Sequence, residues 1–353
     1  MYLNFFSSCV IITPETSPPQ GGNTMNIENI ENQIKSVMIG HAVADALGVP
    51  VEFCTRWELQ ADPVTDMRGF GTYSMPAGSW SDDTSMALAT MDAMLLGEVN
   101  LFGTMVNCAR WIGEGKYTPT GKCFDAGGIC VSAIRRFTDE CYSPEHGFVL
   151  PPNFDMTKCG QNGERANGNG SLMRIHPLVL YAYCKQMTID QWEPMIFDGS
   201  AITHAHPRSL VGCGIYAFLL MRLLYSPHIR EVKIALQQAG EHYHNHPEYA
   251  SYARLFDADF DKLDIAEIKS TGYIVDTLEA AVWCLLTTNS YQECVLKAVN
   301  LGEDTDTVAA VAGGLAGALY GYESIPQAWK ETLIQRQYIE DMCHSACKAW
   351  TGA

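Results

Sequence analysis

Two segments of this chain begin with paired carboxylates and run directly into apolar sequence. They are Ser81-Asp82-Asp83-Thr84 and Asp304-Thr305-Asp306-Thr307. Each marks the start of a helix with little polar surface, so both helices are expected to be buried. Behind the second lies Ala309-Ala310-Val311-Ala312-Gly313-Gly314-Leu315-Ala316-Gly317. Its glycines weaken an isolated helix by roughly 1 kcal/mol each. A crowded core with close helix packing is the expected compensation. The acids admit two accounts. Ser81 is a natural N-cap, and acids in a first turn complement the helix dipole. Four carboxylates with several hydroxyls are also hard oxygen ligands, suited to Mg²⁺ or Mn²⁺ rather than zinc. With both segments present, the pair of divalent cations is the favoured account.

Most of the remaining sequence has helical spacing. From Ile27 the apolar positions fall three or four apart, through Ile30, Ile34, Val37 and Met38. That helix is predicted to run to Leu47 and stop near Gly48-Val49-Pro50. Met86 to Leu96, Leu101 to Ile112, Ile129 to Phe137, Leu210 to Leu224, Val232 to His242, Tyr273 to Leu286, Tyr291 to Val299 and Val308 to Leu319 are further predicted helices. Long loops are expected over Asp66 to Gly78 and Ser143 to Gly170. Strand signals are sparse, so the fold class is all-α. Residues 1–24, with Thr13-Pro14, Ser17-Pro18-Pro19 and Gly21-Gly22, are expected to form an N-terminal arm. Residues 25–353 are expected to form one large helical domain.

Charge and cysteine content narrow the function classes. The formal charge is −17, from 40 acids against 23 bases, which disfavours nucleic-acid binding and suits a cationic or arginine-bearing partner. Thirteen cysteines without a C-x-x-C pair suggest free thiols in a reducing, cytoplasmic setting. The apolar start lacks a positive n-region, which argues against a cleaved signal. No apolar run is read as long enough to span a bilayer; Arg222 interrupts the longest candidate. No membrane association is expected.

Several other residues invite a chemical role beside a plain structural one. Glu52, between Val51 and Phe53, is either a solvent-facing loop acid or a buried carboxylate. Asp125 precedes Gly127-Gly128, which permit close backbone approach to a ligand, or simply a turn. Asn167-Gly168-Asn169-Gly170-Ser171 leads into a possible short helix, Leu172 to Ile175, and could cradle phosphate or be a flexible surface loop. Thr203-His204-Ala205-His206-Pro207 is a substrate contact or a turn. His242, His244 and His246 are expected to be solvated or to complement a helix end rather than to bind zinc.

In their order along the chain these segments resemble the ADP-ribosylglycohydrolase family. The matching stretches are Ala44 to Phe53, Trp80 to Met86, Phe124 to Gly127, Gly168 to Arg174, Thr203 to Pro207, Gly272 to Glu279 and Gly302 to Thr307. The resemblance implies an all-helical fold with a cleft holding two divalent cations, Mg²⁺ or Mn²⁺. Carried over by motif, Ser81, Asp82, Asp83, Asp304, Asp306 and Thr307 would be metal ligands, with Glu52 at or beside the metals. Asn169, Gly170, Ser171 and Met173 would line an ADP-ribose groove, which His204 would contact. Asp125 would match an acid linked to the arginine-side bond. Ser81 stands where the family pattern usually has Thr, and Ala44, Ala126 and Cys130 also depart from it.

The resemblance implies hydrolysis of the N-glycosidic bond between ADP-ribose and an arginine side chain of a modified protein, with Glu52 and Asp125 as the proton-moving acids. Residues 1–24 suggest a second role, contact with an ADP-ribosyltransferase toxin as in an immunity protein. The alternative is a non-catalytic ADP-ribose-binding or toxin-blocking protein on the same scaffold.

Overall fold

The computed structural model describes residues 26–352. The arm over residues 1–24, and the toxin contact expected of it, lie outside them. Fifteen α-helices make up the described body. In chain order they are α1 (Ile27–Gly48), α2 (Arg56–Ala61), α3 (Asp82–Asp92), α4 (Leu101–Glu114) and α5 (Gly128–Cys141). Next come α6 (His176–Cys184), α7 (Ile189–Ala201), α8 (Pro207–Tyr225), α9 (Arg230–Tyr243) and α10 (Tyr249–Tyr252). The last are α11 (Ile274–Leu286), α12 (Tyr291–Val299), α13 (Thr305–Tyr320), α14 (Gln327–Thr332) and α15 (Arg336–Thr351). The only sheet among the described residues is a short antiparallel ribbon, β1 (Tyr142–Ser143) with β2 (Gly147–Phe148).

The centre of the body is the pair α1 and α13. From Ser36 to Gly48 every residue of α1 is buried, and so is α13 from Thr305 to Leu319. Glycine makes their contact possible. A Cβ built on Gly313 would come within 2.5 Å of the Gly40 carbonyl oxygen and would overlap the Ala44 side chain. The close packing expected of the Ala/Gly run is thus realised between two backbones. Tyr291 from α12 donates its hydroxyl to the Gly40 carbonyl at 2.6 Å. At the far end a Cβ on Gly48 would collide with the backbone of Asp306, and Thr305 Oγ1 donates to the Gly48 carbonyl at 2.8 Å. The end of α1 is therefore locked onto the start of α13. Around this pair, α3 and α15 pack on α1, while α8, α11 and α12 pack on α13.

Three expectations require correction. The helix predicted to run to Leu96 ends at Asp92; the chain turns, Gly97 takes φ +89°, and Leu96 is 88% exposed. Helices α2, α6, α7, α10, α14 and α15 are not in the predicted set. α6, His-Pro-Leu-Val-Leu-Tyr-Ala-Tyr-Cys, is buried along its whole length and so has no amphipathic period to read. α7 contains Pro194, an apparent breaker. Finally, Ile27–Val51 and α8 are long and apolar enough to cross a membrane by length and composition. Burial explains their apolarity: 94% of the first window and 72% of the second lie inside the body.

Candidate active site

Ser81 caps α3, accepting the Asp83 backbone N–H at 3.3 Å, and Asp304 is the N-cap of α13. Both expected helix starts therefore exist, and the fold brings them together. Thr307 Oγ1 donates to Asp83 Oδ2 across the two helix ends at 3.3 Å. Ser81 Oγ donates to the same oxygen at 2.8 Å. The acids of one helix thus share hydrogen bonds with the hydroxyls of both.

Two carboxylate triplets result. Ligand oxygens of Asp45, Asp83 and Asp306 lie within 4.8 Å of one another, as do those of Glu52, Asp304 and Asp306. Asp306 belongs to both. Asp45, to which the sequence reading assigns no role, enters from α1. Its Oδ1 accepts the Ser81 backbone N–H at 2.9 Å, and its Oδ2 accepts the Thr84 backbone N–H at 3.1 Å and hydroxyl at 2.6 Å. It thereby fastens α1 to the start of α3. The available signal was a single acid inside the apolar run Val43 to Leu47.

What the hydrogen bonds leave over identifies the chemistry. Asp83 Oδ1, Asp304 Oδ1, Asp306 Oδ2 and Glu52 Oε2 are buried and have no hydrogen-bond partner. Orphaned buried polar atoms are rare in folded proteins. Four anionic oxygens left bare in one cluster suit a hard divalent cation, which such oxygens coordinate. The donor set contains no thiolate or imidazole, as expected for Mg²⁺-type rather than zinc chemistry.

Glu52 and Asp304 of this cluster line a cleft of about 230 Å³, and Asp83 and Asp306 lie behind them. Glu52, Asp82, Asp125, Asp304 and Thr307 line one part of it; Asn169, Gly170, Met173 and His204 line another. Asp82 Oδ2 accepts the Gly127 N–H at 3.1 Å, which ties α3 to the Asp125 loop. Asn169 Nδ2 donates to Asp304 Oδ2 at 2.9 Å and to Thr277 Oγ1 at 3.0 Å. Its amide fixes a carboxylate of the cluster and so joins the two parts.

The Asn167–Ser171 segment is buried rather than a flexible surface loop. Asn167, Asn169 and Ser171 are each no more than 8% exposed, and the Asn169 N–H is committed to the Gly272 carbonyl at 3.0 Å. A Cβ on Gly170 would meet Cys130 Sγ at 2.7 Å and His204 Cε1 at 3.0 Å. Ser171 faces the body: its hydroxyl accepts from Ser200 Oγ at 2.9 Å and lies 3.5 Å from Cys213 Sγ. His204 is held by Thr203, with Nδ1 2.9 Å from Oγ1, and burial with the Arg174 charge pulls its pKa down to about 3. It is a neutral wall of the cleft. His242 pairs with Glu193 at 2.7 Å; the trio with His244 and His246 forms no ligand cluster among the described residues.

Tyr73 was not singled out, and nothing in its loop marked it. It lies near Glu52 and Asp125 and works against the rise that burial imposes on each. A larger groove of about 600 Å³, between α9 and the segment around Phe256, holds none of the cluster acids. The acids of the candidate site line the smaller cleft instead.

Without a cation the buried acids repel one another. Burial, then Asp82 and Glu52, pushes Asp125 up to about 9. Burial, with Asp304, Asp82 and Asp45 against the hydrogen bond from Tyr73, pushes Glu52 up to about 8. Burial raises Asp82 to about 6 and moves Asp83 and Asp306 well above the usual carboxylate range. A raised folded pKa means that the folded state binds more protons than the unfolded chain between the two values. The stability from these groups is complete below the ordinary values, 3.8 for Asp and 4.5 for Glu, and is lost as pH rises through about 6 for Asp82 towards about 9 for Asp125. Protein kept in chelator should therefore lose thermal stability between about pH 5 and about pH 8. Adding divalent cation should raise Tm more at about pH 8 than at about pH 5. Equal shifts at both values would show that these acids do not bind the cation.

A family model described as ADP-ribosylglycohydrolase matches residues 26–353. The chain is 31% identical over 330 residues to the ADP-ribosylarginine hydrolase Tri1 of Pseudomonas putida (strain GB-1), covering 90% of this chain and 79% of that protein. It is 30% identical to the ADP-ribosylarginine hydrolase Tri1 of Serratia proteamaculans (strain 568), covering 88% and 78%. It is 28% identical to the ADP-ribosyl-[dinitrogen reductase] glycohydrolase of Rhodospirillum rubrum, covering 86% and 91%. A solved structure titled ADP-ribosylglycohydrolase-related protein complex superposes with a TM-score of 0.74 at 26% identity, over 91% of this chain and 99% of that one.

Proposed function

Because this chain belongs to the ADP-ribosylglycohydrolase family, we propose that it removes ADP-ribose from an arginine side chain of a modified protein, with Mg²⁺ or Mn²⁺ as the supporting cation. The observation that carries this is the set of four bare carboxylate oxygens under the cleft. A scaffold kept only for binding would have no use for unpaired buried acids, which are costly without a counter-charge. That favours a hydrolase over a non-catalytic binder.

In this proposal Asp83, Asp304 and Asp306, with Asp82 and Thr307 at the rim of the cluster, would hold two divalent cations, and Glu52 would stand beside them. Bound there, the cations supply positive charge that orients ribose oxygens and a water and stabilises negative charge on oxygen. Ser81 and Asp45 keep the start of α3 in place beneath them. Asn169 holds the Asp304 carboxylate, so its loss would disorder a ligand rather than remove one. Asn169, Gly170, Met173 and His204 line the part of the cleft assigned to ADP-ribose; Ser171 supports that wall from behind. Glu52 and Asp125 would flank the reacting bond, with Tyr73 near both. One takes a proton from the attacking water and the other delivers one to the departing guanidine nitrogen. The acidic surroundings tolerate the arginine side.

The test is release of arginine from ADP-ribosyl-arginine in the presence of Mg²⁺ or Mn²⁺, beside a serine-linked adduct. Arginine release that stops in chelator is the expected result. Cleavage of the serine adduct alone would overturn the bond assignment, and cleavage of neither would return the chain to the binder class.

A further inference from the structure

We infer that Phe53, Trp57 and Phe70 form a docking rim beside the cleft for a cationic segment of the modified protein, flanking the arginine that carries ADP-ribose. The inference rests on the arginine reading above. Among the described residues these are the only exposed Phe and Trp side chains, at 68%, 75% and 67%. They sit on two adjoining segments that frame Glu52. Phe53 follows Glu52 in the chain, and Trp57 lies in the first turn of α2. Phe70 precedes the turn Gly71–Tyr73, which is clamped to the Glu52 segment: Thr72 Oγ1 donates to the Glu52 carbonyl at 2.8 Å, and a Cβ on Gly71 would overlap the Pro50 carbonyl.

The backbone under two of these exposed rings is held in a strained conformation. Phe53 has φ +66° and Phe70 φ +69°, the left-handed region that bulky side chains avoid. Such strain persists only where neighbouring structure enforces it, and it concentrates at functional sites. The enforcement is visible. Phe53 N–H donates to the Glu303 carbonyl at 2.7 Å, and Glu303 N–H returns a bond to the Cys54 carbonyl at 2.7 Å. Phe70 N–H donates to the Met75 carbonyl at 2.5 Å. Arg56 ties the start of α2 to the Leu301 carbonyl at 2.8 Å and the Ile268 carbonyl at 2.6 Å. The rim is a fixed backbone presenting free rings, which reduces the ordering cost of docking.

Charge selects the occupant. Glu58, Asp66 and Glu303 are exposed on the same segments. The two arginines there are already engaged, Arg68 with Asp62 at 2.9 Å and Arg56 with backbone carbonyls. Aromatic faces beside carboxylates suit arginine and lysine through cation–π and Coulomb attraction. Position agrees: Phe53 adjoins Glu52 in the chain, and the turn after Phe70 is bonded to the Glu52 carbonyl, so residues flanking an arginine at Glu52 come near these rings.

The test compares wild type with the triple variant Phe53→Ala, Trp57→Ala, Phe70→Ala on free ADP-ribosyl-arginine and on an ADP-ribosylated protein with basic flanking residues. The expected result is a KM for the modified protein raised about tenfold or more, with its kcat and both constants for ADP-ribosyl-arginine within about twofold. Equal losses on both substrates, or no change on either, would overturn the rim. So would a wild-type dimer that the variant abolishes, since the occupant would then be a second copy. Fluorescence anisotropy of the labelled modified protein reads docking without turnover. A wild type that binds it through the rim but cleaves neither substrate would overturn the arginine reading and leave the rim standing.

Discussion

Asp306→Asn should lower cation-dependent turnover about a thousandfold or more, equivalent to about 4 kcal/mol of transition-state stabilisation. The substitution is isosteric. The side-chain oxygen that accepts the Thr307 N–H at 2.9 Å is retained, so the first turn of α13 keeps its geometry. What is lost is the charge at the one residue shared by both carboxylate triplets. Metal-free protein should become more stable above neutral pH, because Asp306 contributes repulsion with Glu52, Asp83 and Asp304 there. The rise in Tm on adding Mg²⁺ or Mn²⁺ should disappear. Calorimetric titration and melting curves read the metal loss independently of activity. A variant that still binds two cations with wild-type affinity would remove Asp306 from the centre. A variant that unfolds would show that the acid is structural.

Gly313→Val should cost about 3 kcal/mol or more and take metal binding with it. The added branch meets the Gly40 carbonyl and Ala44, both in α1, and backbone cannot move aside as a flexible side chain can. Relief requires α1 and α13 to separate. Those helices carry Asp45 and Asp306 respectively, and the Gly48–Asp306 approach lies along the same contact. Separation would therefore pull the acid cluster apart. Gly113→Ala is the matched control. A Cβ there meets nothing within 4 Å, so the change should stabilise α4 by up to about 1 kcal/mol. Chemical denaturation of the two variants, followed by cation titration, checks both. Wild-type stability in Gly313→Val would mean that the helices are not in backbone contact.

Much of the local structure was legible because it is encoded locally. Ser81 is sequence-adjacent to the apolar run it caps, so the start of α3 was legible there, while α13 begins at Thr305, three residues before the predicted Val308. Helices with a clear apolar period, such as α4 and α9, were found with their ends near the observed ones. α6 was missed because a helix buried on every side carries no period, and the turn after Asp92 because Ala93 to Leu96 continues the helical composition past the helix end. Asn169 and His204 were placed at the cleft only through the family resemblance. Their own sequence context was equally compatible with a surface loop and a turn.

The sequence by itself determined that this chain is helical, that two helices begin with acids, and that one of them can be approached closely through glycine. Capping, period and side-chain volume are properties of neighbours in the chain. Only the tertiary structure decided which helix ends meet. The α1–α13 contact draws Asp45 and Asp306 together across the body, Asp83 joins them through Thr307, and Asn169 reaches Asp304 from a distant loop. Those encounters arise from packing between residues far apart in the chain, where no local pattern records them. The same packing buries carboxylate oxygens without hydrogen-bond partners, which turns well-capped helices into a candidate metal centre.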